Sequence, residues 1–249
     1  MRDHMLTVTH LTGGYSRLPV IKDLNFTVKA GEIVGLIGLN GAGKSTTINH
    51  LIGLLTPHTG EIELNGISLQ ANPQKYKEQL AYIPEMPVLY EELTLREHIE
   101  MVIMAYHLDH DQAWQDAQHL LHLFRLTNKL DWLPANFSKG MKQKVMITCA
   151  FITQAQLFII DEPFLGLDPL AVKNLLTSIR TKADAGAGVL MSTHVLSTAQ
   201  TYCDRFIMLD HGQIIAHGTL TDLQTQAHMA DANLTDIYLA LTQEGGSDE

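Results

Sequence analysis

The sequence predicts an α/β fold: a mostly parallel sheet, an antiparallel β portion near the N-terminus and an inserted helical portion. Three observations predict it. Residues 38–46 read Gly-Leu-Asn-Gly-Ala-Gly-Lys-Ser-Thr, which matches the phosphate-binding pattern G-x-x-x-x-G-K-[ST]. The apolar runs 32–37, 157–160 and 188–193 read as buried strands separated by helical patterns, as in parallel sheets. Asp161-Glu162 closes the second of these runs, placing two acids at the carboxyl edge of the sheet, where ligands of α/β folds sit.

In chain order, 6–11, 24–28 and 62–64 read as strands of the antiparallel portion. The run 32–37, the glycine-rich loop and the helical pattern from Thr47 give strand, loop and helix, the setting the phosphate motif requires. Residues 81–83 form a short strand stopped by Pro84. A helix-rich stretch over about 85–150 follows, and it reads as a lobe inserted between the two halves of the core. Leu95, Ile99, Val102 and Ile103 keep helical spacing within 95–104. A second helix over 112–124 is capped by Asp109 or Asp111. Residues 170–183 are helical, and 206–209 with 213–216 flank Asp210-His211-Gly212 as a hairpin. Residues 1–220 are expected to form one domain. Residues 221–249 would add a helix near 234–241 and a disordered tail over 245–249.

Bulk properties narrow the function. The chain has 249 residues, 45% hydrophobic and 18% charged, enough for a substantial core. Its net charge of −10, without runs of Lys or Arg, argues against nucleic acid as a partner. Cys149 and Cys203 cannot form a cysteine metal cluster and read as reduced, packed thiols. Met1-Arg2-Asp3-His4-Met5 lacks the apolar core of a signal peptide. No apolar run reaches the roughly 18 residues of a membrane span, so any span must come from another chain.

The chemistry is that of a nucleoside triphosphate. Gly38, Gly41 and Gly43 are expected to allow left-handed backbone and close approach of phosphate. Asn40, Ala42 and Thr46 complete the loop whose N–H groups, with the helix N-terminus, favour the anion. Lys44 reaches the β- and γ-phosphates, and the Ser45 hydroxyl can ligate Mg²⁺. Asp161 is placed to hold the same ion, directly or through water. Glu162 is then free to act as general base on the attacking water. His119 and His122 share a helix face, which is better explained as polar surface than as a metal site.

These motifs, in this order and spacing over about residues 5–220, resemble the ATP-binding subunits of ABC (ATP-binding cassette) transporters. The resemblance implies the ABC ATPase fold, with ATP and Mg²⁺ bound. Phe137-Ser138-Lys139-Gly140-Met141 sits where that family has its signature, which implies that Ser138 and Gly140 meet the γ-phosphate held by a second ATPase subunit, identical or paralogous. Lys139 and Met141 depart from the usual Leu-Ser-Gly-Gly-Gln. Leu165-Gly166-Leu167-Asp168 resembles the loop that crosses the dimer interface, and Asp168 also suits a helix cap before Pro169. His194 resembles the histidine that bonds the γ-phosphate, and Tyr15, after Gly13-Gly14, the aromatic that stacks on adenine. Glu85 stands where the family carries a glutamine and offers a charged oxygen to the metal.

The segments 84–97, 138–141 and 162–168 resemble those of bacterial export-type ATPases, in particular the Ecs type. This implies a peripheral protein on the cytoplasmic face of the cell membrane. It also implies an integral membrane permease subunit whose cytoplasmic helix docks near 86–90. The alternative is a soluble ABC-type ATPase of a non-transport assembly complex. A kinase or GTPase sharing the loop is disfavoured by Ser138-Lys139-Gly140, Asp168 and His194 occurring in order.

Overall fold

The computed structural model describes residues 4–244; the tail expected over 245–249 lies outside them. In chain order the strands are β1 (Leu6–Gly13), β2 (Ile21–Val28), β3 (Ile33–Ile37), β4 (Thr59–Leu64), β5 (Ile67–Ser68), β6 (Leu80–Ile83), β7 (Leu157–Asp161), β8 (Gly188–Thr193), β9 (Arg205–Asp210) and β10 (Gln213–Gly218). The helices are α1 (Lys44–Leu51), α2 (Pro73–Lys77), α3 (Leu95–Ala105), α4 (His110–Leu123), α5 (Lys139–Phe151), α6 (Pro169–Asp184), α7 (Leu196–Tyr202), α8 (Leu220–Gln226) and α9 (Leu234–Glu244).

Two sheets result. One is antiparallel with order β2-β1-β4-β5; the other has order β10-β9-β3-β8-β7-β6, parallel except for the β9–β10 hairpin. Every residue of β3, β7 and β8 is buried, as expected of parallel strands covered on both faces. Alternation along these strands separates two cores. Phe158, Ile160, Val189 and Met191 face the helices α3 to α6. Leu157, Ile159, Leu190, Val34 and Leu36 face α1 and the antiparallel sheet. The register sets Ile37 beside Thr193, Ser192 beside Asp161 and Ile160 beside Ile83. Four strand ends therefore share one edge, and the residues that follow them emerge together.

Helices α3 to α5 lie in sequence between β6 and β7, where the helix-rich stretch was expected. Their starts carry the side chains that open helices. Thr94 and Glu97 make a reciprocal capping box, Asp109, not Asp111, caps α4, and Ser138 caps α5. The C-terminal residues are not an appendage. Leu223, Leu234, Ile237 and Tyr238 are buried against Phe206 and Met208 of β9 in a third cluster. Both cysteines are free, and burial pushes each thiol up to about 12. His50 and His98 are buried.

Candidate functional site

The loop between β3 and α1 is shaped by its glycines in two different ways. Gly41 and Gly43 adopt φ of 87° and 107°, the left-handed region. Gly38 does not; there the expectation of left-handed backbone fails and the reason for glycine is space. A Cβ on Gly38 would lie 2.7 Å from the Leu209 carbonyl oxygen and 2.8 Å from the Ala42 Cβ. Gly43 is the N-cap of α1 and has no capping side chain, so the first N–H groups of α1 are left to an anion. Lys44, 7% exposed, lies back along the loop and donates to the Gly38 and Leu39 carbonyls at 2.7 and 3.3 Å.

A cavity of about 310 Å³ opens over this loop. It is lined by Asn40, Gly41, Gly43, Lys44, Ser45, Thr46, Glu85, Glu162 and His194, together with Val20 and Leu39, which the sequence had not singled out. Glu162 follows β7 at a φ of 43°, in the left-handed region unusual for a non-glycine residue. Its N–H donates to the Ser192 hydroxyl and carbonyl oxygens, at 3.1 and 3.3 Å, which pins the turn to β8. The carboxylate is held at both ends: Oε2 is 2.8 Å from Nδ1 of His194, and Oε1 is 3.7 Å from Nζ of Lys44. Glu85 reaches the cavity from the loop after β6.

Asp161 lies just behind, 5% exposed, and accepts a hydrogen bond from the Ser192 hydroxyl. Burial holds its carboxyl above the usual range, and the neighbouring Glu162 and Glu85 add to this against the Ser192 bond and Lys44. A buried acid that accepts from the Ser192 hydroxyl, behind a cavity lined by Ser45, suits a hard cation that keeps waters and binds substrate phosphate. The described residues contain no cluster of three or more His, Cys, Asp or Glu that could cage an ion. His119 and His122 lie on α4, and neither lines this cavity.

The other candidate residues are elsewhere. Tyr15 is 65% exposed and its hydroxyl accepts from the Asn49 amide at 3.0 Å. Ser138, Gly140 and Asp168 form a separate cluster. A Cβ on Gly140 would sit 2.2 Å from the Gly166 carbonyl oxygen, so the segments around Gly140 and Gly166 are pressed together. Asp168 caps α6 through the Ala171 N–H and takes a bond from Lys144 Nζ at 2.7 Å, which holds its carboxyl below the usual range. Two contacts tie α5 to the loop carrying Glu85. Buried Gln143 donates to the Pro84 carbonyl at 3.2 Å, and Lys142 pairs with Glu91 at 3.1 Å. Gln143 and Ser192 were not foreseen; only the strand register and the packing of α5 bring them to the site.

Residues 21–165 match the family described as ABC transporter. The chain is 56% identical over 245 residues, 98% of its length and 99% of the relative, to the ABC-type transporter ATP-binding protein EcsA of Bacillus subtilis. It is 34% identical over 224 residues, 90% of its length and 92% of the relative, to the SkfA peptide export ATP-binding protein SkfE of the same organism. A solved structure described as the ATP binding subunit of an ABC transporter superposes with a TM-score of 0.93 at 52% identity, covering 96% of this chain and 99% of that one.

Proposed function

We propose, on the premise that the chain belongs to the ABC transporter family of ATP-binding proteins, that it hydrolyses ATP as the motor subunit of a bacterial exporter. The observation that carries the reading is the arrangement of Glu162 between His194 and Lys44 at the mouth of the phosphate-binding loop.

ATP is bound with its β- and γ-phosphates against the loop N–H groups, Lys44 and the N-terminus of α1. Tyr15 stacks on the adenine. Glu162 takes a proton from the water that attacks the γ-phosphorus. His194 holds the carboxylate by its Nδ1–H beside the γ-phosphate. Ser45 and Asp161, with Glu85 within reach, would hold Mg²⁺, which would supply positive charge beside the phosphate oxygens. Ser138 and Gly140, which do not line the chain's own cavity, serve the nucleotide of a second ATPase subunit, while Asp168 lies at the seam. Closure of that pair on ATP, and its release on hydrolysis, gives the two states a transporter reads.

Support for coupling to a membrane subunit comes from residues 86–90. Met86, Val88 and Tyr90 are 55%, 74% and 60% exposed, an apolar set next to Glu85 suited to a partner's helix. No helix among the described residues is long and apolar enough to cross a membrane. The protein then works as a peripheral subunit on the cytoplasmic face of the membrane. Export as the direction is supported by the peptide-export name carried by SkfE and by the segments 84–97 and 162–168.

Two measurements test this. The purified chain should release phosphate from MgATP, and Glu162→Gln should dimerise on ATP by light scattering. A tagged copy recovered from detergent-solubilised host membranes should bring down a multi-span protein in stoichiometric amount. Soluble partners alone would overturn the transport reading in favour of an assembly ATPase.

A further inference from the structure

We propose that Tyr238, on the C-terminal helix α9, is a positioning residue for the phosphate-binding loop, so that α9 is a working part of the nucleotide site. The proposal rests on the reading of that loop as an ATP site.

Tyr238 is 199 residues from Leu39 in the sequence, yet its hydroxyl accepts a hydrogen bond from the Leu39 N–H at 3.0 Å. The same hydroxyl donates to the Leu209 carbonyl of β9 at 3.3 Å. The phenol thus bridges the entry of the loop to the neighbouring strand. The ring is 2% exposed, and burial raises the phenol above its ordinary value, so the proton needed for the donated bond stays in place.

Leu39 needs this support. Its side chain is 60% exposed and lines the cavity, so packing does not fix it. Its carbonyl accepts from Lys44 Nζ and from the Ala42 N–H, and its own N–H goes to Tyr238. The residue is therefore held through its backbone polar groups, with Tyr238 on one side and the phosphate-contacting lysine on the other. A phenylalanine in place of Tyr238 would fill the same apolar space and leave the Leu39 N–H without its partner.

Helix α9 is anchored well enough to serve as a support. Leu234 and Ile237 are fully buried in the cluster containing Phe206 and Met208. The Leu234 N–H donates to Gln200 Oε1 at 2.7 Å, on α7, the helix that follows His194. One helix therefore touches the loop under the phosphates and the helix that follows His194.

The test compares full-length wild type, Tyr238→Phe, Ile237→Val and Lys44→Ala for binding of mant-ATP with Mg²⁺, alongside thermal melts. Tyr238→Phe and Ile237→Val each remove interactions of similar size from α9, so both should lower the melting temperature by a few degrees. Tyr238→Phe alone should weaken mant-ATP binding, by about threefold to tenfold, and raise KM for ATP more than it lowers kcat. Ile237→Val should bind as wild type does. Equal affinities for Tyr238→Phe and wild type would overturn the proposal. So would equal weakening by Ile237→Val, which would reduce α9 to packing. If wild type and Lys44→Ala bind alike, the ATP reading itself fails and the role of Tyr238 falls with it. Measured below the transitions of both α9 variants, the comparison holds even if Tyr238→Phe melts earlier than Ile237→Val.

Discussion

Glu162 and His194 meet across the carboxyl edge of the central sheet, Oε2 to Nδ1 at 2.8 Å, although 32 residues separate them. A carboxylate oxygen can only accept, so Nδ1 carries the proton and Nε2 faces outward. The proposed base and the histidine proposed to orient it are thus already in contact. Glu162→Gln keeps the shape and removes the basicity. The ATPase rate should fall by about 10²- to 10⁴-fold, with mant-ATP still bound. Phosphate release measured beside nucleotide binding checks this. A rate close to wild type would remove Glu162 from the role of base.

Glu85 shares the cavity with Glu162 but comes from the loop after β6, whose Pro84 carbonyl is held by Gln143. A glutamine there would still offer the metal an oxygen, without the charge. Glu85→Gln should keep substantial ATPase activity, within about fivefold of wild type, less than 1.4 kcal/mol of barrier. Titrating Mg²⁺ at saturating ATP should show a modest shift in the requirement. A loss as deep as that of Glu162→Gln would make Glu85 catalytic.

Gly140 has no room for a side chain, because a Cβ there would meet the backbone oxygen of Gly166 at 2.2 Å. Backbone cannot rotate away as a side chain can, so Gly140→Ala must push the segment around Gly166 and Asp168 outward. The expected cost is about 1–3 kcal/mol of stability, seen by urea unfolding. In the Glu162→Gln background it should also weaken ATP-driven dimerisation, because Ser138, Gly140 and Asp168 are proposed to meet the second subunit. Unchanged dimerisation, by light scattering, would separate this cluster from the dimer contact.

The parts that were legible in the sequence are those where local chemistry and periodicity agree. The phosphate loop, the acids after β7 and the caps Asp109 and Asp168 are local signals. β3, β7 and β8 were legible because burial on both faces demands unbroken apolar runs. The short helices α2, α7 and α8 were not read; α7 has no side-chain cap, and none of the three is long enough for a clear period. The strand β5 has two residues and is defined only by its pairing with β4. Contacts such as Ser192 to Asp161, Gln143 to Pro84 and Tyr238 to Leu39 depend on register and on helix docking, which one sequence does not specify.

His50 gives a pH dependence whose sign follows from its burial. It lies on α1 with no exposure, its Nδ1–H donates to the Thr46 carbonyl at 2.8 Å, and Nε2 has no partner among the described residues. Nε2 also occupies the space over Gly13, where a Cβ would come within 2.3 Å. Burial disfavours the charged ring and lowers its pKa below the ordinary 6.5, more strongly than the Thr46 bond opposes it. A depressed histidine pKa means that the unfolded chain takes up the proton first as pH falls. The contribution of neutral His50 is therefore full above pH 6.5 and is lost progressively below it, at no more than about 1.4 kcal/mol per pH unit. His50→Gln can still donate to the Thr46 carbonyl but does not titrate. Its melting temperature should start lower than that of wild type, because the ring's packing is lost, and should decline less steeply between pH 7.5 and 5.5. Parallel declines in the two proteins would show that His50 is not a source of the acid sensitivity.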